Sequence, residues 1–169
     1  MWISKKTIYK YFSNKELLIE ESTQLVHKEV HETINSIVAK NYNAIEENFE
    51  IRRMYKEMFK STETSPLYQL KRHYPEVYNK VLGSQIEICE CCFRDNILKG
   101  ISEGLYRNDI DVENYVKFYY TLIFSINENT ALEKDANILE QKALEYHIRA
   151  MATLAGIIEL EKQLQLNNN

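Results

Sequence analysis

At 169 residues, 44% of them hydrophobic, the chain is long enough for one domain with a sizeable core, and its four glycines and two prolines are too few for an all-β architecture of many turns. No apolar run reaches the ~18 residues needed to span a bilayer, no charged-then-apolar leader precedes a cleavage site, and the three cysteines, Cys89, Cys91 and Cys92, lie too close together to staple a fold, so the expectation is a cytoplasmic protein. The formal charge of −4 is uneven: residues 1–15 carry four lysines and no acid, and the remainder carries 17 basic against 25 acidic groups, which directs any polyanion contact to the head.

The hydrophobic spacing is helical nearly throughout, and the fold class expected is all-α. A short helix is predicted at about Lys5–Tyr11. Ser13 follows as an N-cap, with Glu16 three residues on to complete a capping box. A long helix then runs from Asn14 to about Lys40 on Leu17, Leu18, Leu25, Val26, Val30, Ile34, Ile37 and Val38, roughly 40 Å at ~1.5 Å per residue. His27 and His31 are i,i+4 on it, a spacing that can hold a metal. No third ligand is evident, and on a charged helix such a pair reads as solvated.

The next helix spans about Ala44–Lys60. Residues 61–66 break the pattern, and Pro66 suits the first turn of a short helix, Leu67–His73. Pro75 restarts the chain, Gly83-Ser84 is a place for a kink or interruption, and Gln85–Ser102 follows, with Gly104 as C-cap. Within that run Cys89 and Cys92 share a face, but no second thiol pair exists for a Cys₄ site, and they read as small core hydrophobes.

Asp111 caps a helix Val112–Ile126. A polar loop, about Asn127–Asp135, leads to a final helix near Ile138–Leu164. These last two helices carry more apolar surface than one core requires. The last has a stripe of Leu144, Ile148, Met151, Ala155 and Ile158, and a second of His147, Ala150, Leu154 and Ile157. Such a helix is either central or shared with another subunit. Small residues on the second stripe favour a two-fold, four-helix interface, with Phe118, Leu122, His147, Ala150, Met151, Leu154, Ile157 and Ile158 as its residues. No nucleophile–base motif, glycine-rich phosphate loop or metal signature is visible, so no catalysis, cofactor or metal is expected.

The segment Ile3–Leu18 resembles the end of the TetR-family helix-turn-helix. The family pattern Ser-x-x-Thr-apolar-Tyr-x-Tyr/His-Phe, a short cap, then Lys, Glu and Leu, is matched by Ser4, Thr7, Ile8, Tyr9, Tyr11, Phe12, Lys15, Glu16 and Leu17. Tyr74-Pro75-Glu76 and the run from Gly100 to Arg107 continue the likeness in the family's order. The resemblance implies a partial helix-turn-helix at 1–13, the recognition helix only, and a helical ligand-binding and dimerisation domain at 14–169. It implies DNA-facing positions at Lys5, Lys6, Thr7, Tyr9, Lys10, Tyr11 and Lys15, the lysines reaching guanine edges or phosphate and the hydroxyls phosphate oxygens. It also implies a small-molecule inducer held among the middle helices, with Tyr55, Met58, Phe59, Tyr74, Tyr78, Ile86, Cys89, Phe93, Tyr119 and Ile123 as lining candidates. The partners that follow are a second copy of the chain, an inducer, and operator DNA in the full-length form. The family's head has three helices, of which this chain holds the third, and Trp2 stands where the family's turn favours Gly. The expectation is therefore that residues 1–169 alone bind no operator tightly, and that the alternative role is a helical dimerisation module without ligand or DNA.

Overall fold

The computed structural model describes Thr7 and residues 10–167. Among these, the chain is all-helical, with seven helices and no strand beyond two isolated bridges. They are α1 (Lys15–Val38), α2 (Ala44–Phe59), α3 (Pro66–His73), α4 (Pro75–Ser102), α5 (Val112–Asn129), α6 (Glu133–Met151) and α7 (Leu154–Asn167). None is long and apolar enough to cross a membrane. The expected helix at Lys5–Tyr11 falls mostly outside the described residues; of it, Thr7 is helical and its carbonyl accepts from Lys10 N at 3.2 Å.

The caps explain where the helices start. Asn14, not Ser13, caps α1, its Oδ1 accepting from Leu17 N at 2.8 Å. The capping box expected at Ser13 and Glu16 occurs instead at α2, where Asn43 Oδ1 accepts from Ile45 N and Glu46 N, and Glu46 Oε2 accepts from Asn43 N. Asn is as good a cap as Ser, so the neighbouring asparagine takes the role when the chain enters the helix one residue later. Pro66 opens α3 behind Ser65, and Asp111 caps α5 by accepting from Asn114 N. The interruption expected at Gly83-Ser84 is absent, and α4 runs through it. Gly83 is exposed with nothing near its missing Cβ, and its propensity cost of ~1 kcal/mol is small beside the packing of a helix this long.

The single last helix expected at Ile138–Leu164 is two helices, and the loop expected before it is shorter. α6 begins at Glu133, and the chain breaks at Ala152, whose backbone is extended at φ −64°, ψ 143°. The break is held by backbone pairing with the turn after α4. Arg107 N donates to Met151 O, and Thr153 N donates to Leu105 O, each at 2.9 Å. Thr153 then caps α7, its Oγ1 accepting from Gly156 N while donating to Gly104 O. Gly104 takes φ +72°, the left-handed conformation expected of a residue closing a helix. Gly156 lets the two segments meet, since a Cβ there would lie 2.1 Å from Leu105 O.

Two hydrophobic clusters organise the helices. The larger joins α2, α4, α5, α6 and α7 through Ile45, Phe49, Ile97, Tyr106, Val116, Leu144, Ile148, Met151 and Leu160. The smaller, Leu70, Val77, Tyr78 and Val81 with Ile19 against it, joins α3 and α4 to α1. On α1 only Val30, Ile34 and Ile37 are buried, whereas Leu25 is 67% exposed.

Candidate ligand-binding cavity

A cavity of about 540 Å³ draws its walls from both clusters. This is within the range typical of small-molecule sites. One face of α1, with Ile19, Thr23, Val26, Val30 and Ile34 at helical spacing, forms one wall. Tyr55 and Phe59 on α2, Leu67 and Leu70 on α3, and Tyr74, Tyr78, Cys89 and Phe93 around α4 form others. Tyr119, Ile123 and Phe124 of α5 complete the apolar surface. Phe93 and Tyr119 pack at 4.8 Å between ring centroids.

Polar groups converge from α2, α5 and α6. Arg52 Nη2 donates to the carbonyl of Asn137 at 2.9 Å and to its Oδ1 at 2.6 Å. Asn127 Nδ2 donates to Glu140 Oε1 at 2.6 Å. Glu133, Asn137 and Glu140 all line the cavity, and their i, i+4, i+7 spacing places them on one face of α6. Two atoms here, Arg52 Nε and Glu133 Oε2, are buried without a hydrogen-bond partner among the described residues.

The electrostatics follow from burial. It raises the Glu140 carboxyl above the usual range, against the Asn127 hydrogen bond and the Arg52 charge, which lower it. Burial raises Glu133 too, helped by repulsion from Glu140. Burial also lowers Arg52, with Glu140 opposing, although a guanidinium remains protonated. The phenols of Tyr55 and Tyr119 are pushed well up by burial. A second polar group borders the cavity between α2 and α4. There Asn48 donates to Asn96 Oδ1, Asn96 donates to Glu47 Oε1, and Lys99 pairs with Glu47 Oε2 at 2.6 Å.

Of the lining candidates read from the sequence, Tyr55, Phe59, Tyr74, Tyr78, Cys89, Phe93, Tyr119 and Ile123 meet at this cavity, and Met58 and Ile86 lie outside its wall. The polar groups were missed, yet α6 carries a signal for them. Stepping back from the core stripe Leu144, Ile148, Met151 by helical spacing gives Glu140, Asn137 and Glu133. Placing residues 127–135 in a loop, and the helix start at Ile138, hid that continuation.

Burial pushes Cys89 up to about 12 and raises Cys92 as well, which keeps both protonated at neutral pH. His27 and His31 both line the cavity instead of standing in solvent. Burial holds His27 below its ordinary value, and His31 Nδ1 lies 3.2 Å from Asn35 Nδ2. Among the described residues, no group of three or more His, Cys, Asp or Glu side chains is arranged to hold a metal.

The proposed interface residues divide. Phe118 and Leu122 on α5 and Leu154 and Ile158 on α7 are exposed, Phe118 at 65% and Leu154 at 79%. Ala150 and Ile157 are half-buried. His147 and Met151 are not available to a second copy, because both are buried in the chain's own core. The packing of α6 is the reason, since His147 stacks on Tyr119 of α5 and Met151 joins the larger cluster. Of the DNA-facing positions, Thr7, Lys10, Tyr11 and Lys15 are exposed, with Tyr11 at 79%, while Lys5, Lys6 and Tyr9 lie outside the described residues. Lys15 Nζ stands 5.2 Å from the centroid of the Tyr74 ring. No family model, curated protein or solved structure matches the chain.

Proposed function

We propose that the chain is the sensing and dimerising part of a TetR-like, ligand-responsive transcriptional repressor. The observation that carries this reading is the cavity itself. It has an apolar wall, a few converging polar groups, and a long helix along one side that follows the segment Lys5–Tyr11, which in sequence resembles a recognition helix. Such a cavity supports a sensor over a helical dimerisation module, for which a solid interior is expected. The exposed pairs Phe118–Leu122 and Leu154–Ile158, each i,i+4 on its helix, support a second copy as partner.

In this reading the ligand acts through α1. That helix lines the cavity and is tied near its start to the α3–α4 junction by Lys15 over Tyr74 and to α4 by the Glu20–Lys80 ion pair at 2.5 Å. A ligand that binds better to one tilt of α1 shifts the population toward that tilt. Two recognition segments in a dimer then leave the spacing of about 34–36 Å that successive half-sites demand.

The test is a mobility-shift titration against a library of duplex DNA, using the chain alone and the chain extended by the codons in frame ahead of Met1. The extended form is expected to retain duplexes with paired half-sites and to release them when ligand is added, and residues 1–169 alone to retain none tightly. Retention of no duplex by the extended form, with ligand binding intact, would leave a sensor of another kind.

A further inference from the structure

Resting on the reading of the cavity as a ligand site, we infer that its ligand is a lipophilic cation, an apolar body carrying one protonated amine. The inference comes from how charge is distributed on the cavity wall. Glu133 and Glu140 face it from the same side of α6, and neither is in an ion pair within 4 Å among the described residues. Arg52 is the one guanidinium lining this end, and its Nη2 is committed to Asn137. Two carboxylates against one guanidinium leave an acidic excess in a low-dielectric setting, where a missing counter-charge is costly.

The unmet hydrogen-bonding capacity is of both kinds, one buried donor at Arg52 Nε and acceptor oxygens on the two carboxylates, so the excess charge decides the sign of the ligand. Glu140 Oε1 accepts from Asn127, while Glu133 Oε2 is buried and accepts from nothing. Lys56 also lines the cavity but is exposed, so water screens its charge. A ligand ammonium brings donors and the missing positive charge together, whereas a ligand carboxylate would add a third anion. The rings of Tyr55, Phe59, Phe93, Tyr119 and Phe124 line the cavity and give apolar area to the body of such a ligand, and aromatic rings attract cations. Burial, and after it repulsion from Glu140, raises the Glu133 carboxyl, and a nearby cation relieves that repulsion.

The experiment compares three probes with one body and different heads, decylamine, decan-1-ol and decanoate, each titrated calorimetrically into the full chain below its micelle concentration. Decylamine is expected to bind at least about tenfold more tightly than decan-1-ol, with decanoate weakest. In the double variant Glu133→Gln/Glu140→Gln the preference for the amine is expected to vanish while decan-1-ol binds as before, which also shows that the cavity is intact. Decan-1-ol or decanoate binding as tightly as decylamine would overturn the cation while leaving the cavity a ligand site. The same holds if the amine preference survives in the double variant. Binding of none of the three would remove the cavity reading itself and this inference with it.

Discussion

The rings of Tyr119 and His147 lie face to face, their centroids 4.1 Å apart and their planes 9° from parallel. Tyr119 lines the cavity from α5, and His147 backs it from α6, buried to 7% exposure. The stack therefore ties one wall of the cavity to the core behind it, and burial there demands a neutral imidazole.

That need sets a pH dependence. Burial holds His147 down to about 3, against an ordinary 6.5. Between those values the unfolded chain binds a proton that the folded chain refuses, so stability from this group is complete above pH 6.5 and is lost as pH falls toward 3. Equilibrium denaturation of the wild type and of His147→Phe, which keeps an aromatic stack, is expected to show the wild type losing on the order of a few kcal/mol relative to the variant across that window. A difference that stays flat from pH 7 to 4 would mean that His147 reaches water. Burial of Glu133 and Glu140 acts in the opposite sense, but it is common to both proteins and cancels in the comparison.

Gly156 is the point where α7 touches the turn after α4. Gly156→Ala places a Cβ 2.1 Å from the carbonyl oxygen of Leu105, which is backbone and cannot swing away. The expected cost is about 1–3 kcal/mol in thermal or denaturant unfolding, in spite of alanine's better helix propensity. An unchanged or raised Tm would refute this contact.

Glu47 is buried to 3% exposure, and Lys99 is its ion-pair partner. Lys99→Met is expected to destabilise by about 3 kcal/mol, because it strands a carboxylate in the interior. Lys99→Met combined with Glu47→Gln is expected to recover part of that loss, since the amide still accepts from Asn96. A double variant no more stable than the single one would place the cost in packing and not in charge.

Light scattering at micromolar concentration tests the second copy. The wild type is expected at twice the 20.1 kDa chain mass. Phe118→Glu and Ile158→Glu, each placing a charge on an exposed apolar pair, are expected to run as monomers with unchanged helicity. A wild-type monomer refutes the dimer, and a dimer indifferent to both changes moves the interface elsewhere.

The helices on either side of the cavity were legible in the sequence wherever apolar spacing and a cap agreed, as for α2, α3 and α5. Asp111 and Pro66 marked starts that the backbone uses. What stayed hidden has two physical causes. The break at Ala152 is held by a partner segment, residues 104–107, far away in the chain, and the one local signal is Thr153 as the cap of α7. The polar end of the cavity was hidden because Glu133, Asn137 and Glu140 have the composition of a solvated helix face. Only the packing of α2 and α5 against them makes them interior. His27 and His31 failed in the same way, being charged-helix residues by pattern and wall residues in space.

The closing position of α7 has a consequence for how the chain is made. Lys162 on α7 pairs with Glu46 on α2, 116 residues earlier, and Leu160 on α7 joins Ile45 in one buried cluster. At about 5–20 residues per second of synthesis, that stretch takes roughly 6–23 seconds to emerge. Throughout it, the start of α2 lacks its final cover. The nascent chain thus holds an uncovered apolar surface until α7 clears the ribosome. A ribosome stalled before α7 would display that surface to chaperones and proteases.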